Sequence, residues 1–566
     1  SLTPCPTHGI STANKGTHAM LKPRDTQSTR NLMVAVVVSL LIMLGFEMLG
    51  YGRSLTPQPS PVAAEAALAP EPVVQAPAGM VDEQVVIVPV VLENEKVKVS
   101  YNLAGGKVEG WVLKGYTRTG GNELGYAQLA VEADPSSTHP TEYAESGWLG
   151  GGIEAPGAGA VWQVVAQTSD TVVLGWKNAS GQVFGRELAL SDDFTLRVTD
   201  SVANTAALPV SVTPYAQVHR AKGELPKEMS TWVSYHGPMG VTVGDEGALL
   251  HEESFSSLDD GKGSNPVTAA GGWWGMTSHY FMTAWMPEGL RESVRAFRMA
   301  DVGGTPVFTA SVQGAAVVVP AGGEAKVTYA LYAGPKQDAA LAAAGHHLDK
   351  AIAWGWFEKI AKPFYKIVLW FHGLTGSWAL AIVLMTLALK IATFPLANKS
   401  YHAMAKMKKL QPQMEAMKER MKDDQQGMAM EMMKLYRDNK VNPLSGCWPM
   451  LVQIPIFFAM YKVVLLAFEF RHAAPGLWPL DLWVHDLSLA DPLFILPVLM
   501  GISMWVQMKL NPPPADPAQA MVFKWMPVIF TVMFLWFPAA LVWYWLVNNV
   551  LSVAQQYWIM RGDKAI

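Results

Sequence analysis

Two patterns of hydrophobic residues divide this 566-residue chain. Between residues 81 and 350, short apolar runs such as Val85–Leu92, Lys96–Leu103 and Phe194–Val202 are separated by Gly, Asn, Ser and Asp. Runs that alternate with a period of two place every second side chain on one face of a sheet, so they predict strands. Many short strands joined by polar turns favour a large all-β domain of the sandwich type.

Longer apolar runs, typical of helices in a membrane, dominate residues 351–566. Asp338–Lys350 is expected to form a helix that leads into this part. In Trp356–Phe371, apolar residues recur at helical spacing with lysines between them, which predicts an amphipathic helix on a membrane surface. Five further runs predict transmembrane helices, although three of them are short. These runs are Trp378–Ala397, Trp448–Phe468, Leu493–Met508, Phe523–Phe537 and Leu541–Trp558.

The N-terminal part contains one more apolar run, from Leu32 to about Tyr51, preceded by basic residues. This arrangement resembles a signal peptide. The run is long enough to cross a bilayer, however, and no A-x-A site follows closely. We therefore expect a cytoplasmic tail at residues 1–30, an uncleaved anchor at 31–52 and a Pro/Ala-rich linker at 53–80. The anchor brings the predicted number of transmembrane helices to six.

Charge in the loops predicts how these helices are oriented. Asn398–Lys440 contains ten Lys and Arg and six Asp and Glu, whereas Arg471–Asp491 contains one Arg and three Asp. Basic loops stay in the cytoplasm, so residues 399–440 and both termini are expected there, with the β domain in the periplasm of a bacterial inner membrane. The small net charge of −4 gives no indication of a specific nucleic-acid partner.

Lys390 is the most informative single residue, because it is a charge inside a predicted transmembrane helix. Burying a charge at the centre of such a helix costs about 2.5–3.5 kcal/mol on insertion scales. Two interpretations remain open: Lys390 faces a wet interior with a functional role, or it snorkels to the cytoplasmic interface. The other polar groups that could line a water-filled cavity include Thr386, Gln453 and Gln507.

A methionine stripe characterises the basic loop at residues 399–440. Its members recur every three or four residues, which predicts a helical hairpin with one methionine-rich face. This face is either the hairpin's own core or a pliable surface that accepts varied hydrophobic segments. The predicted stripe consists of Met404, Met407, Met414, Met417 and Met421.

The chain lacks the sequence signatures of several enzymes: it has no G-x-x-x-x-G-K-[ST] loop, no H-E-x-x-H and no G-x-S-x-G. We expect no enzymatic activity, cofactor or metal, and we interpret His346-His347 as a solvated helix feature. The aromatic residues around Trp273-Trp274 and Trp285 are interpreted as strand core rather than a sugar or peptide cleft. A secondary transporter or channel is disfavoured because no internal repeat or intramembrane carboxylate pair is found.

Several segments of residues 356–562 resemble the YidC/Oxa/Alb family in its Gram-negative YidC form. The resemblance rests on Pro395-Leu396, Leu410-Gln411-Pro412, Val441-Asn442-Pro443-Leu444, Gln453-Ile454-Pro455-Ile456-Phe457, Trp483-Val484-His485-Asp486 and Met526-Pro527-Val528. It implies an insertase and chaperone for inner-membrane proteins, with five helices forming the family core. The periplasmic domain would be a β-supersandwich.

The resemblance also implies a hydrophilic groove that is open to the cytoplasm and the lipid. The family usually has an arginine in this groove, and Lys390 stands at that position; lysine keeps the charge but loses the planar fork. Thr386 matches a second groove position. The implied partners are nascent membrane proteins, the Sec translocon, the ribosome or signal-recognition machinery and the lipid bilayer. Substrate helices would slide along Phe457, Met500, Met533, Tyr544 and Trp545.

Overall fold

The structure is a computed structural model that describes residues 89–117, 124–130, 142–221, 235–244, 247–258, 264–289, 292–302, 305–421, 424–439, 448–511 and 517–564. The predicted tail, anchor and linker, residues 1–80, lie outside the described residues. The described part divides into two units. One comprises residues 410–441 and is the hairpin; the other contains the β domain and the remaining helices.

The β domain consists of two antiparallel sheets that pack against each other. Its strands up to residue 221 are β1 Val90–Glu93, β2 Val97–Asn102, β3 Lys107–Thr117, β4 Leu124–Ala130, β5 Glu142–Gly151, β6 Gln163–Gln167, β7 Thr171–Lys177, β8 Gln182–Leu190, β9 Thr195–Asn204 and β10 Val210–Ala221. The later strands are β11 Gly237–Gly244, β12 Gly247–Glu252, β13 Val267–Ala269, β14 Gly272–Thr277, β15 Phe281–Glu288, β16 Glu292–Val302, β17 Thr305–Gly314, β18 Val317–Val319 and β19 Glu324–Pro335.

Strand order separates the two layers. One sheet runs β1-β2-β3-β4-β5-β10-β17-β16-β13, with β18 also pairing with β10, and the other runs β12-β11-β14-β15-β19-β9-β8-β7-β6. Every second side chain of β8 and β9 is buried, as expected for strands with one face in the core. The predicted all-β domain is therefore observed as a two-layer sandwich.

The core between the sheets is mostly aromatic and aliphatic, but it also contains the buried ion pairs Arg186–Asp200 and Arg220–Glu142. Trp111 and Trp285 are almost fully buried there, whereas Trp273 is buried on the other face of its sheet, where it donates to the His347 carbonyl at 3.1 Å. Arg186 on β8 pairs with Asp200 on β9 at 2.5 Å and donates to the Tyr101 hydroxyl of the opposite sheet at 2.7 Å. These directed bonds connect the layers, because both buried charges need partners.

Nine helices occur among the described residues. Those that lead to and include the hairpin are α1 Phe255–Leu258, α2 Asp338–Ala344, α3 Glu358–Thr375, α4 Trp378–Arg420 and α5 Gln425–Asp438. The last four are α6 Trp448–Leu466, α7 Ile495–Leu510, α8 Pro517–Met533 and α9 Ala539–Lys564. Short 3-10 helices lie at Leu348–Ala351, Gly355–Phe357, Phe468–Phe470, Leu480–Leu482 and Phe534–Trp536.

Two helix boundaries differ from the sequence-based expectation. The helix expected at Asp338–Lys350 ends at Ala344, because Gly345, His346 and His347 all have positive φ and cannot continue it. His346-His347 is thus a connection between helices rather than part of one. The transmembrane run expected at Trp378–Ala397 belongs to a longer helix that continues to Arg420, through both Pro395 and Pro412.

A loop between α6 and α7, residues 467–494, holds several helix ends on one side of the bundle; we call it the capping loop. The Pro475 carbonyl accepts from the Ala379 amide at 2.9 Å, near the start of α4. The Leu489 carbonyl accepts from the Ala539 amide at 2.7 Å, at the start of α9. Asp491 accepts from the Leu496 amide at 2.7 Å in the first turn of α7. The loop therefore joins α4, α7 and α9 through directed bonds.

Candidate functional site

Lys390 lies half-buried on α4, and its ammonium group points at α9. Its Nζ donates to Ser552 Oγ at 2.7 Å, and Ser552 in turn donates to the Asn548 carbonyl at 2.7 Å. Among the described residues, no carboxylate lies within ion-pair distance of Lys390. Lys390 therefore has a hydrogen-bond partner but no described counter-charge.

Polar side chains on one face of α9 form a ladder across the bundle; we call it the α9 ladder. It consists of Asn549, Ser552 and Gln556, which recur at steps of three and four and are all buried. Asn549 Nδ2 donates to Ser503 Oγ on α7 at 3.0 Å. Gln556 Nε2 donates to Asn511 Oδ1 at 3.0 Å, immediately after α7. Hydrogen bonds of this kind in a membrane contribute about 0.6 kcal/mol each.

The three predicted polar residues occupy different environments. Thr386 is almost fully buried and donates to the Ile382 carbonyl of its own helix at 2.6 Å. Gln453 on α6 donates to the Tyr544 hydroxyl on α9 at 3.2 Å. Gln507 is half-buried on α7. Lys390 is thus brought together with Ser552 of the α9 ladder, whereas Thr386 satisfies its hydroxyl locally.

The predicted slide residues separate into a packed cluster and two buried side chains. Trp545 packs edge-on against Phe457 at 4.6 Å and against Phe534 at 5.3 Å, which joins α9, α6 and the end of α8. Met533 is partly buried next to this cluster. Met500 is 0% exposed and Tyr544 is 1% exposed. Both side chains are therefore buried within the bundle, and Tyr544 accepts a hydrogen bond from Gln453 of α6.

Large apolar side chains instead cover the outside of α7 and α8. On α7, Ile502 and Trp505 are more than half exposed, and on α8 the same is true of Trp525 and Val528. Such an exposed apolar surface is unfavourable in water but expected next to lipid. By length and composition, one described stretch, Trp378–Met417, could cross a membrane. Val452–Leu466, Ile495–Leu510 and Met521–Trp536 are shorter apolar helices.

In the hairpin unit, the methionine stripe is only partly hidden. Met414, Met417 and Met421 are half-buried, and the Tyr436 hydroxyl of α5 contacts Met414 Sδ at 3.5 Å. Met404 and Met407, which precede this unit on α4, are buried. Two methionines of α5 that the sequence analysis did not single out, Met430 and Met433, are largely exposed.

An aromatic box connects the β domain to the end of α6. Phe468 packs edge-on against Tyr116 at 5.5 Å and against Phe281 at 5.5 Å, and the Arg471 guanidinium lies 5.2 Å from the centre of the Phe281 ring. Next to the box, the Tyr365 hydroxyl of α3 donates to Glu469 at 2.8 Å. Burial raises the pKa of the Glu469 carboxyl above its ordinary value. The β domain and the helices of this unit are therefore packed together at a defined contact.

Among the described residues, no group of three or more His, Cys, Asp or Glu side chains is arranged to hold a metal ion. Sequence reasoning identified Lys390 but missed Ser503, Ser552 and Gln556. The spacing of polar residues at 549, 552 and 556 within an apolar helix was the signal that could have found the α9 ladder.

Two family models together match most of the chain. The model described as 60Kd inner membrane protein matches residues 370–565, and the model described as YidC periplasmic domain matches residues 89–367. Their descriptions agree with an inner-membrane protein that has a periplasmic domain, which is the location expected from loop charge. They divide the chain between the β domain and the helical part, as the fold does.

Curated relatives match along nearly the whole chain. The membrane protein insertase YidC of Magnetococcus marinus is 36% identical over 565 residues, with 94% of this chain and 98% of that protein covered. The YidC of Sinorhizobium medicae is 36% identical over 503 residues, with 83% of this chain and 82% of that protein covered.

A solved structure entitled active YidC insertase, with its first transmembrane domain resolved, is also similar to the chain. It is 18% identical, covers 83% of this chain and 92% of its own, and has a TM-score of 0.35. The relatives' name is that of an insertase rather than an enzyme, as expected from the missing catalytic signatures. On the identity and coverage of the curated relatives, the chain belongs to the YidC family of membrane protein insertases.

Proposed function

We propose that this insertase uses Lys390 to draw the hydrophilic end of a nascent membrane protein into the bundle between α4 and α9. The observation that carries the proposal is the 2.7 Å hydrogen bond from Lys390 Nζ to Ser552 Oγ. It keeps the ammonium group directed toward α9 rather than extended along α4 toward the cytoplasm. A substrate carboxylate would find there a cation that no described carboxylate neutralises.

The α9 ladder supports the second part of the proposal, which is that the groove shelters polar groups. Ser552, Asn549 and Gln556 supply hydroxyl and amide groups along more than one turn of α9. In addition, Gln555 Nε2 and Gln556 Oε1 are buried without a hydrogen-bond partner among the described residues. Such groups are costly next to hydrocarbon and are better accommodated by water or by a substrate backbone.

Release into the lipid completes the proposed cycle. The outer faces of α7 and α8 present apolar side chains, and a substrate helix could leave along them once its hydrophilic end has crossed. From the predicted slide, Phe457, Met533 and Trp545 stay candidates for contacting this helix. Burial of the substrate's own apolar helix in lipid would drive the step, without a nucleotide or a metal.

Partners and topology follow from the same arrangement. We propose that the capping loop and the β domain face the periplasm, that six helices cross the membrane, and that both termini are cytoplasmic. The exposed Met430 and Met433 offer adaptable apolar contacts for a nascent chain at the ribosome or near the Sec translocon. The two-sheet architecture is compatible with the β-supersandwich that the family resemblance implies.

Charge reversal at Lys390 tests the proposal. Lys390→Glu should reduce insertion of a single-span substrate with a short acidic N-terminal segment by about tenfold in proteoliposomes. The variant replaces an attraction between opposite charges by a repulsion between like charges, and a change of about 1.4 kcal/mol in this interaction energy corresponds to a factor of ten. Lys390→Arg should retain insertion. The same substrate with its acidic residues changed to Asn and Gln should be much less sensitive to Lys390→Glu.

Lys524→Glu is the matched control, because Lys524 is an exposed cation on α8. It should leave insertion nearly unchanged. If Lys390→Glu and Lys524→Glu inserted the acidic substrate as well as the unmodified protein does, charge attraction at Lys390 would have to be abandoned.

A further inference from the structure

A cavity of about 450 Å³ lies between the C-terminal end of the β domain and the helix α3. It is separate from the proposed groove, and an inference about it does not depend on that proposal. Its walls carry charges of both signs. The polar lining consists of Asp338, His346, His347, Asp349, Lys362 and Lys366.

Part of this charge is already paired. Lys362 Nζ lies 2.8 Å from Glu358 and 3.6 Å from Asp349. Lys366 and Asp338 have no ion pair or hydrogen bond to another side chain among the described residues. The cavity thus presents one available cation, on α3, and one available anion, at the start of α2.

The surface of α3 shows what borders the cavity. Ala361, Tyr365 and Val368 face the protein, whereas Ile367, Trp370 and Leu374 are 38%, 61% and 64% exposed. The exposed apolar residues follow at steps of three and four, so they form one stripe, which we call the α3 stripe. The lysines of the same helix, Lys359, Lys362 and Lys366, also recur at steps of three and four and lie beside this stripe.

This combination matches the shape and chemistry of a phospholipid. An amphipathic helix in the interface places its apolar stripe among acyl chains and its lysines at the level of the headgroups. A lipid whose chains contact the α3 stripe would have its headgroup next to Lys366 and the mouth of the cavity. A free apolar stripe alone would not select a headgroup, but the charged cavity beside it would.

We propose that the cavity binds the headgroup of a phosphatidylethanolamine-type lipid. Lys366 would bind the phosphate and Asp338 the primary ammonium, which can donate hydrogen bonds to a carboxylate. A quaternary ammonium cannot donate such bonds, and an anionic headgroup without an ammonium would leave Asp338 without a cationic partner. The site therefore distinguishes a phosphoethanolamine headgroup from phosphocholine and from phosphoglycerol.

The test is a lipid titration of the purified, delipidated full-length protein in detergent, followed by native mass spectrometry. The unmodified protein should bind dioleoyl-phosphatidylethanolamine more tightly than the corresponding phosphatidylcholine or phosphatidylglycerol, by about threefold or more. Lys366→Gln should weaken binding of phosphatidylethanolamine by a similar factor, and Lys366→Arg should retain it. Asp338→Asn should remove most of the preference over phosphatidylcholine.

Lys359→Gln is the matched control, because Lys359 is an exposed lysine of α3 that does not line the cavity. It should bind lipid as the unmodified protein does. Trp370→Ala should weaken all three lipids without changing their order. Far-UV circular dichroism of each lipid-free variant checks that it is folded.

Three results would overturn the proposal. The first is equal affinity for phosphatidylethanolamine and phosphatidylcholine in the unmodified protein. The second is a folded Lys366→Gln variant that binds no worse than Lys359→Gln. The third is free phosphoethanolamine binding as tightly as the intact lipid, since this would make the ligand a soluble phosphoamine rather than a membrane lipid.

Discussion

At the scale of single residues, His279 has a pKa that makes the β domain sensitive to acid. Burial, followed by the nearby charges of Lys336 and Arg471, lowers the pKa of His279 to about 3, and a hydrogen bond with the Leu465 backbone opposes this only in part. The unfolded chain binds a proton near pH 6.5, but the folded chain does not. Stability is therefore complete above that pH and is lost progressively as the pH falls below it.

We predict that the protein is less stable at pH 5 than at pH 8. The free energy of unfolding should fall by about 2 kcal/mol from this residue alone at pH 5, because 1.5 pH units separate pH 5 from the unfolded pKa. His279→Gln should reduce the pH dependence of the thermal unfolding midpoint in detergent. His485→Gln, which changes an exposed histidine of the capping loop, should not. An unchanged pH dependence in His279→Gln would contradict the assignment.

Residues also show where the sequence was informative and where it was not. Lys390 could be predicted because a charge in an apolar helix is costly and therefore conspicuous. The pairing of Lys390 with Ser552 could not be predicted, because nothing in the sequence indicates which helix faces α4. Met500 and Tyr544 matched family positions, but their burial depends on how α7 and α9 pack, which no local pattern specifies.

At the scale of elements, the close approach of α7 and α8 depends on one glycine. A Cβ atom on Gly501 would lie 1.9 Å from Thr531 Oγ1 and 3.6 Å from the Pro527 carbonyl oxygen. Small residues let helices approach closely in a membrane, where packing rather than the hydrophobic effect holds them together. Any side chain at residue 501 must therefore move α8 or rotate Thr531.

We predict that Gly501→Leu destabilises the bundle by about 1–3 kcal/mol, which is the usual cost of overpacking. The thermal unfolding midpoint of the purified protein in detergent measures this change. Gly501→Ala should be milder, and Thr531→Ala should partly restore the stability of Gly501→Ala, because it removes the nearest atom. Equal midpoints for Gly501→Leu and the unmodified protein would show that the two helices are not held at this distance.

Elements were predicted well in type and less well in extent. The β-type runs became strands because alternation with a period of two is visible in one dimension. The ends of α2 and α4 were missed for opposite reasons. A left-handed turn at Gly345–His347 stops the first, whereas the second continues through Pro395 and Pro412 to Arg420. Helix continuity across a membrane surface leaves little trace in hydropathy, because polar residues are as helical as apolar ones.

At the scale of the whole molecule, the β domain buries many large side chains between its own two sheets. Its two sheets bury Trp111 and Trp285 between them, and Arg186 of the Arg186–Asp200 pair donates to Tyr101 of the opposite sheet. The helices contact this domain at the aromatic box around Phe468, which continues this core into the helical part. We therefore predict that residues 81–350 fold when produced alone.

The expected product is a soluble protein with β-type circular dichroism and one cooperative urea transition. Trp285→Ala should lower its free energy of unfolding by about 3–5 kcal/mol, because it leaves a large cavity in the core. Val165→Ala is a suitable control, because Val165 is 70% exposed. A broad, non-cooperative transition of the unmodified fragment would mean that the domain requires the helices to fold.

The capping loop bears on whether ions can leak through the bundle. Its backbone carbonyls accept hydrogen bonds from the starts of α4 and α9, and the Asp491 side chain accepts one from the start of α7. The amide groups at this end of the bundle are therefore bonded to the protein rather than to water. In the proposed cycle, a polypeptide enters the groove from one side of the membrane and leaves sideways into the lipid. Such a route needs no aqueous pore through the bilayer. Cells could then keep many copies in an energised membrane without short-circuiting the ion gradients across it.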